Sequence, residues 1–496
     1  MNPVLQFRNV FGDTLIAASV IESGGAVFAL AAAGDRKELL IAAPAGWPGL
    51  SAFLGQADDL GGGWCVKRGP LSAGNALALR AAVPHLTPVP LGLATSAGCG
   101  DRLGLATPGH VRAFHSVAAQ PGALPVAPLF AQQSIREMTR TRRTPSDVMR
   151  DATFGALEGG WRGPLGADAD HLKTPADIDA CAAAGFSFYT IDPGAHVDGG
   201  ADQADEAGLR AKVAALNWSI LEGSPDDLIG RYAGRALDLD DRRLTLTAEA
   251  VWRAAAKYGN AVAHVAGMYR RLAGQGVPFE LEVSVDETET PTAHAEHAFI
   301  ALELRRLGVQ WVSLAPRYVG RFEKGVDYLG DLGALEADLA GHAAVARALG
   351  PYKLSLHSGS DKFRVYPLIV AAARGLVHLK TAGTSYLEAL RTLAGVEPSL
   401  FRAIAALAVE RYPEDRASYH VSAELSRVPE ITALPDAALP GLLDQFDARE
   451  VLHVTFGSAL ARHAAELKAG LRAHEAKHYA ALERHFLRHL EPFAHR

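Results

Sequence analysis

Cysteine is scarce: Cys65, Cys99 and Cys181 are the only three in 496 residues. They are scattered and odd in number, which excludes a disulfide framework and a Cys-based zinc site and points to a reducing cytoplasm. Long hydrophobic runs are also missing. Nowhere do about 18 uninterrupted apolar residues occur, and the start MNPVLQFRNVFGDT lacks a basic segment followed by an apolar one, so no membrane partner is expected. Positive charge is not in surplus either. The chain has 49 Lys+Arg against 55 Asp+Glu, a net charge of −6, with the cations dispersed, and nothing marks a surface for nucleic acid. Internal repeats and low-complexity tracts are absent. What is present is 49% hydrophobic and 21% charged residues, enough to bury large cores in one very large domain or two to four ordinary ones.

Residues 1–125 combine Gly, Ala and Pro with short apolar runs and predict a mixed or β-rich region. Residues 126–160 have helical spacing broken at Pro145, where Thr144-Pro145-Ser146-Asp147 can start a second helix, and read as a helical bridge. From 161 to 458, short β-prone runs alternate with helical stretches. Eight runs stand out: Ala167–Leu172, Phe186–Asp192, Phe279–Asp286, Trp311–Ala315, Tyr352–His357, Leu376–Thr381, Ser418–Val421 and Val451–Phe456. Eight parallel strands close a (β/α)8 TIM-like barrel, here with a helical excursion at 193–278 after the second run and a helical tail at 459–496. Nearly every run ends in polar, chemically able residues, as a barrel enzyme's strands do at their C-terminal ends.

Asp170 and His171 are adjacent at the end of one run, and both reach a barrel mouth if the strand stops there. Lys353–Phe363 reads KLSLHSGSDKF, a strand ending in His357, a candidate metal ligand, followed by a small-residue turn. Glu280, Glu282, Ser284 and Asp286 alternate on one face. Buried acids must be paired, metal-bound or protonated, which suits Glu282 and Asp286 to acid–base work. Arg317, Lys362 and the Lys380-Thr381 pair are the candidates for holding a substrate carboxylate. His294 and His297 read as ordinary first-turn helix residues. His474-Glu475-Ala476-Lys477-His478 has zincin spacing, but Ala481 and Arg484 stand where its extended pattern needs Gly and His. Gly98–Gly104 misses the dinucleotide-binding fingerprint by one residue.

The segments DRLGLATPGHVRAF, AQQSIREMTRTRRTPSDVMRDAT, GADADHLKT, TIDPGAHV, SVDETETPT, SLAPRYVGRFEKGVDYLGD, SLHSGSDKF and HLKTAGTSYLEALR, in order from Asp101 to about Leu393, resemble the tagaturonate/fructuronate epimerases of hexuronate catabolism. The resemblance implies a metal-dependent epimerase of D-fructuronate and D-tagaturonate, related to the fructose/tagatose 4-epimerases, with a site that resembles class II ketose aldolases. Carried over, it implies Asp170 as proton acceptor, Glu282 as donor with Asp286 as substitute, and a divalent cation (Zn²⁺, Mn²⁺, Ni²⁺ or Co²⁺) on His171, His357 and Glu323. The family pattern has Gln where Glu323 stands.

Inversion at C3 cannot proceed by simple enolisation, because C3 is not next to the C5 ketone. Retro-aldol cleavage of C3–C4 solves this, and it calls for a Lewis acid and two acid–base groups. A fructose/tagatose 4-epimerase, an aldolase releasing fragments, a hydride-transfer epimerase with bound NAD and a non-catalytic sugar-binding protein are the rival readings. The expected partner is a small sugar acid or ketose, and the tail can pack on the barrel or on a second subunit of a homo-oligomer.

Overall fold

In the computed structural model, which describes residues 10–495 apart from 241, the chain first builds a five-stranded antiparallel sheet in the order Ile21–Ser23, Ala26–Ala33, Arg36–Pro44, Trp64–Pro70, Gln56–Gly61. Its two longest strands are apolar on both faces. Phe28, Leu30, Leu39 and Ile41 join the main core, while Val27, Ala29, Leu40 and Ala42 pack with Phe11 and Val66 in a smaller one.

Eight parallel strands then close a barrel: β1 (Ser96–Gly100), β2 (Ala127–Ser134), β3 (Gly166–Leu172), β4 (Phe188–Ile191), β5 (Glu280–Ser284), β6 (Ser313–Ala315), β7 (Lys353–Leu356) and β8 (Val377–Thr381), with β8 returning to pair β1. The fold is the expected TIM-like barrel, but two of its strands lie earlier in the chain than expected. The barrel begins at Ser96, inside what the sequence suggested was the N-terminal region, and its second strand lies in the presumed helical bridge. Conversely, Ser418–Val421 is not a strand, and Val451–Val454 belongs to the helix Phe446–Val454.

Composition explains both differences. Ser-Ala-Gly-Cys-Gly has little intrinsic strand preference, yet bulk is not tolerated there. A Cβ on Gly98 would come within 2.9 Å of Gln132 Cγ, and one on Gly100 within 3.0 Å of Ala382 Cα. VLHVTF is buried on every side across a helix end and the start of the next helix, which erases the periodicity that separates helix from strand.

The excursion between β4 and β5 carries several short helices, a small hairpin (Ala236–Leu239 with Arg242–Thr245) and the long helix Ala248–Ala273. Thr144 caps the helix Pro145–Glu158 in a reciprocal box with Asp147, as the sequence suggested. The tail forms two helices, Phe456–Ala473 and Glu475–Ala494. The second packs on the chain's own helices Thr107–Ala118 and Thr384–Val396. No described helix is long and apolar enough to cross a membrane.

Candidate active site

The centre of the site is a buried ammonium. Lys380, the fourth residue of β8, points into the barrel, where its Nζ lies 2.8 Å from Asp168 Oδ2, 2.8 Å from Asp170 Oδ1 and 3.0 Å from Glu282 Oε1, and donates to the Thr190 hydroxyl. The partners come from β3, β4 and β5, where side chains alternate inward. Thr190 also donates to Asp168 Oδ1 (3.0 Å), and Gln132 on β2 donates to Asp170 Oδ2 (3.3 Å). Three carboxylates thus share one cation out of water, the compensation that buried charge demands.

The shared charge separates the acids. Burial pushes Asp168 up to about 7, with Asp170 and Glu282 adding to the rise against the pull of Lys380. Burial acts the same way on Asp170, but Lys380 and the His171 and His357 rings outweigh it and hold this carboxyl well below its usual range. Glu282 is likewise brought down to about 2, chiefly by Lys380 against burial. Lys380 itself is held charged, because the acids outweigh its desolvation.

One level higher, two imidazoles meet edge to face, with the His171 and His357 ring centroids 4.4 Å apart. His171 reaches this position because β3 slips register against β4 between Ala169 and Leu172 and because His171 itself takes φ 52°. A non-glycine residue in the left-handed region at a strand end turns successive side chains to one side, as adjacent Asp170 and His171 require. His357 Nε2 lies 3.1 Å from Asp170 Oδ1, and its Nδ1, which has no hydrogen-bond partner, lies 3.3 Å from Asp286 Oδ1. His171 Nδ1 lies 3.0 Å from Asp192 Oδ2, with Glu287 Oε1 3.8 Å from its Nε2. Burial disfavours charge on His357, but Asp286 and Asp170 outweigh it and raise it to about 10.

This donor set fits a divalent cation. Asp170, His171 and His357 offer ligand atoms within 4.8 Å of one another, surplus carboxylates surround them, and His357 Nδ1 is orphaned. A pocket that draws a proton this strongly also draws a cation in its place. Asp192 beside His171 Nδ1 is the kind of partner that fixes a ligating imidazole.

Above the imidazoles opens a cavity of about 220 Å³ whose walls include Asp286, Arg317, Glu323, Lys324, His357 and Tyr419. Not every expected residue is free to act here. Lys380 is spent on three carboxylates and cannot also take a substrate carboxylate. Lys362 donates to the carbonyls of Glu323 (2.7 Å), Val326 and Ser360 (3.0 Å) and pins a loop instead. The Thr381 hydroxyl donates to Gly98 O (2.6 Å), sealing β8 to β1. Glu323 turns from the imidazoles: its Oε2 accepts from Ser422 N (3.0 Å) and Oγ (2.6 Å). Arg317 stays on the cavity wall, where its guanidinium donates to the Tyr318 carbonyl (3.3 Å) and, among the described residues, pairs with no carboxylate. Of the zincin-like motif, Glu475 pairs with Lys37, and His478 is buried and belongs to none of the ligand clusters found among the described residues.

The site can be compared with known proteins as a whole. Residues 16–493 match the sequence profile of tagaturonate epimerase. The chain is 41% identical over 461 residues to the tagaturonate/fructuronate epimerase of Thermotoga maritima, covering 92% of each chain. Crystal structures of the fructuronate-tagaturonate epimerase of Cohnella laeviribosi, native and with glycerol, superpose with a TM-score of 0.90 at 33% identity over 99% of both chains. This chain belongs to the tagaturonate epimerase family. It is accordingly an isomerase.

Some residues of this epimerase's site escaped the sequence reading. Asp192 and Glu287 flank His171, and Lys324 Nζ donates to Ser358 Oγ (2.9 Å) while lying 3.3 Å from Glu287. Asp168, two residues before Asp170 on the same strand, is also a partner of Lys380. The available signal was position: Asp192 and Glu287 each lie just past the end of a strand, beside residues already suspected. Gln132 carried no such signal, because its strand was not recognised.

Proposed function

We propose that this chain interconverts D-tagaturonate and D-fructuronate by inverting C3, using retro-aldol chemistry beside a divalent cation on His171 and His357. The observation that carries the reading is the ionised Asp170, set between the Lys380 ammonium and the His357 ring, which in turn lines the cavity that Arg317 borders. A bound cation would supply positive charge to polarise the ketone oxygen.

Asp170 Oδ1 accepts the C3 hydroxyl proton. The C3–C4 electron pair moves toward the C5 ketone, leaving an enediolate and an aldehyde of three carbons each. The aldehyde presents its other face, the bond re-forms, and the C3 oxygen recovers a proton. Inversion places that oxygen on the opposite side, so a second carboxylate must serve it. Glu282 is suited to this, with Thr190 Oγ1 3.5 Å from its Oε1 and linking it to Asp168. Arg317 holds the substrate carboxylate at the rim, away from the acids. Asp286, beside His357 Nδ1, orients that ring.

The test is NMR of D-fructuronate with the purified protein, before and after EDTA, then with divalent metal restored. Tagaturonate appearing only with metal supports the reading. Accumulating three-carbon fragments replace it with an aldolase, and turnover of fructose or tagatose instead of the uronates replaces the substrate.

A further inference from the structure

Among the described residues, two more His/Asp clusters lie away from the mouth, and they differ in kind. Asp361, His485 and His489 are fully engaged. Arg449 Nη2 lies 2.9 Å from Asp361, Thr384 donates to the same carboxylate (2.6 Å), and His489 Nε2 accepts from the Asp361 N–H (3.0 Å). A cation already fills that need. Among the described residues, the cluster His294, Asp338 and His342 has no lysine or arginine partner.

His294 opens the helix His294–Arg306 after β5, and Asp338 and His342 sit one turn apart on the helix Leu332–Leu349 after β6. His294 Nε2 lies 3.4 Å and His342 Nε2 3.5 Å from Asp338 Oδ1, and one ligand atom from each residue falls within 4.8 Å of the others; His294 Nε2 also lies 3.1 Å from the Asp338 carbonyl oxygen, a contact that a bound cation would replace. Tetrahedral coordination with bonds of about 2.0–2.2 Å separates neighbouring ligand atoms by roughly 3.3–3.6 Å, so two of the edges already have the required length. His342 is fully buried, and its Nε2 has no hydrogen-bond partner.

The rest of the surroundings is built in the same sense. His342 Nδ1 lies 2.9 Å from His297 Nδ1, and His297 Nε2 lies 2.8 Å from the Tyr352 hydroxyl. Such a chain fixes an imidazole with its far nitrogen directed at a ligand. Gly341 supports His294: a Cβ there would sit 2.0 Å from His294 Cε1, so only glycine lets the ring lie where it does. His294 and Asp338 are 27% and 12% exposed, leaving a path from solvent.

We infer that His294, Asp338 and His342 form a second divalent-cation site, of the nitrogen-rich class that takes Zn²⁺ or Co²⁺ in preference to Mg²⁺ or Ca²⁺. Its role is structural. Occupied, it joins the helices that follow β5 and β6. Because Asp338 Oδ2 accepts from Val319 N (3.1 Å), it also holds in place the segment that brings Arg317 to the mouth.

The experiment loads the metal-stripped full chain with Co²⁺ or Zn²⁺ and counts bound metal by mass spectrometry, with Co²⁺ absorption reporting the ligand field. Two equivalents are expected in the native chain, one in His294→Ala and in Gly341→Ala, and one in His357→Ala. Zn²⁺ should raise the unfolding temperature of His357→Ala but not that of the His294→Ala/His357→Ala double variant. The partly exposed position of His294 makes its alanine variant mild enough to fold. An unchanged metal count in His294→Ala, or no metal left in His357→Ala, overturns the inference, and the second result leaves the mouth assignment intact.

Discussion

Two buried groups of imidazoles, one at the barrel mouth and one along the seam beneath the last helix, differ in every respect except burial. His171 and His357 face Asp170, Asp286 and Glu287, which draw positive charge onto them. Along the seam, His110 on Thr107–Ala118 and His478 and His489 on Glu475–Ala494 are desolvated with little net compensation. Burial lowers them to about 4, 4 and 3. A histidine inside a protein is therefore no sign of a site by itself. The carboxylates around it decide whether it is packing or chemistry.

The comparison is broken most severely at the mouth. Asp170→Asn and His357→Ala are each expected to cut turnover by at least ~10³-fold, at the upper end for an acid–base group; either variant retaining a tenth of native kcat in steady-state assays would remove that residue from the chemistry. Lys380→Met comes next. It strands three carboxylates, so a stability loss of about 3–5 kcal/mol, read from urea unfolding, should accompany the lost activity.

The seam makes its own prediction, with the sign fixed by depressed imidazoles. Above about pH 6.5 they are neutral whether folded or unfolded and stability is complete. As pH falls, only the unfolded chain takes up the protons, so stability declines from about 6.5 down through their folded values near 4 and 3, by up to about 1.4 kcal/mol per pH unit for each ring. Urea midpoints equal at pH 7.5 and pH 5 would count against neutral seam histidines.

Smaller effects sharpen the picture at the rim. Arg317→Ala should raise KM for the uronate about 10–100-fold, the worth of a charged hydrogen bond, with kcat nearly kept; a change confined to kcat would move Arg317 from binding to chemistry. Glu323→Gln, facing Ser422, should alter kcat/KM less than about threefold. A metal-deficient Glu323→Gln protein would restore Glu323 as a ligand.

The sequence made the mouth legible wherever charge sat in a strand-like run. Two acids two residues apart before His171, alternate acids from Glu280 to Asp286, and a histidine ahead of Ser-Gly-Ser each declared a buried polar end. It hid β1, because close packing there selects glycine and alanine, which carry neither periodicity nor strand preference, and it hid β2 because Ala127–Ser134 runs directly into the helix Ile135–Thr141 and reads with it as helical. It misassigned Lys362 and Lys380 for a different reason. A lysine satisfied by carbonyls and one satisfied by acids look the same in one dimension, and both look like a free cation.

The closure of the barrel also sets the order of folding. Strand β1 is made early but finds its second neighbour only in β8, and the Thr381–Gly98 hydrogen bond spans 283 residues. At roughly 5–20 residues per second, a ribosome needs on the order of 15–60 s to cover that interval. Throughout that time β1 offers a row of unpaired backbone groups, and the helix Glu475–Ala494, whose Ala494 carbonyl accepts from Leu124 N (2.8 Å), has not yet been synthesised. The nascent chain thus carries an open strand edge that its own last quarter must cover, an edge that can pair with another chain until then.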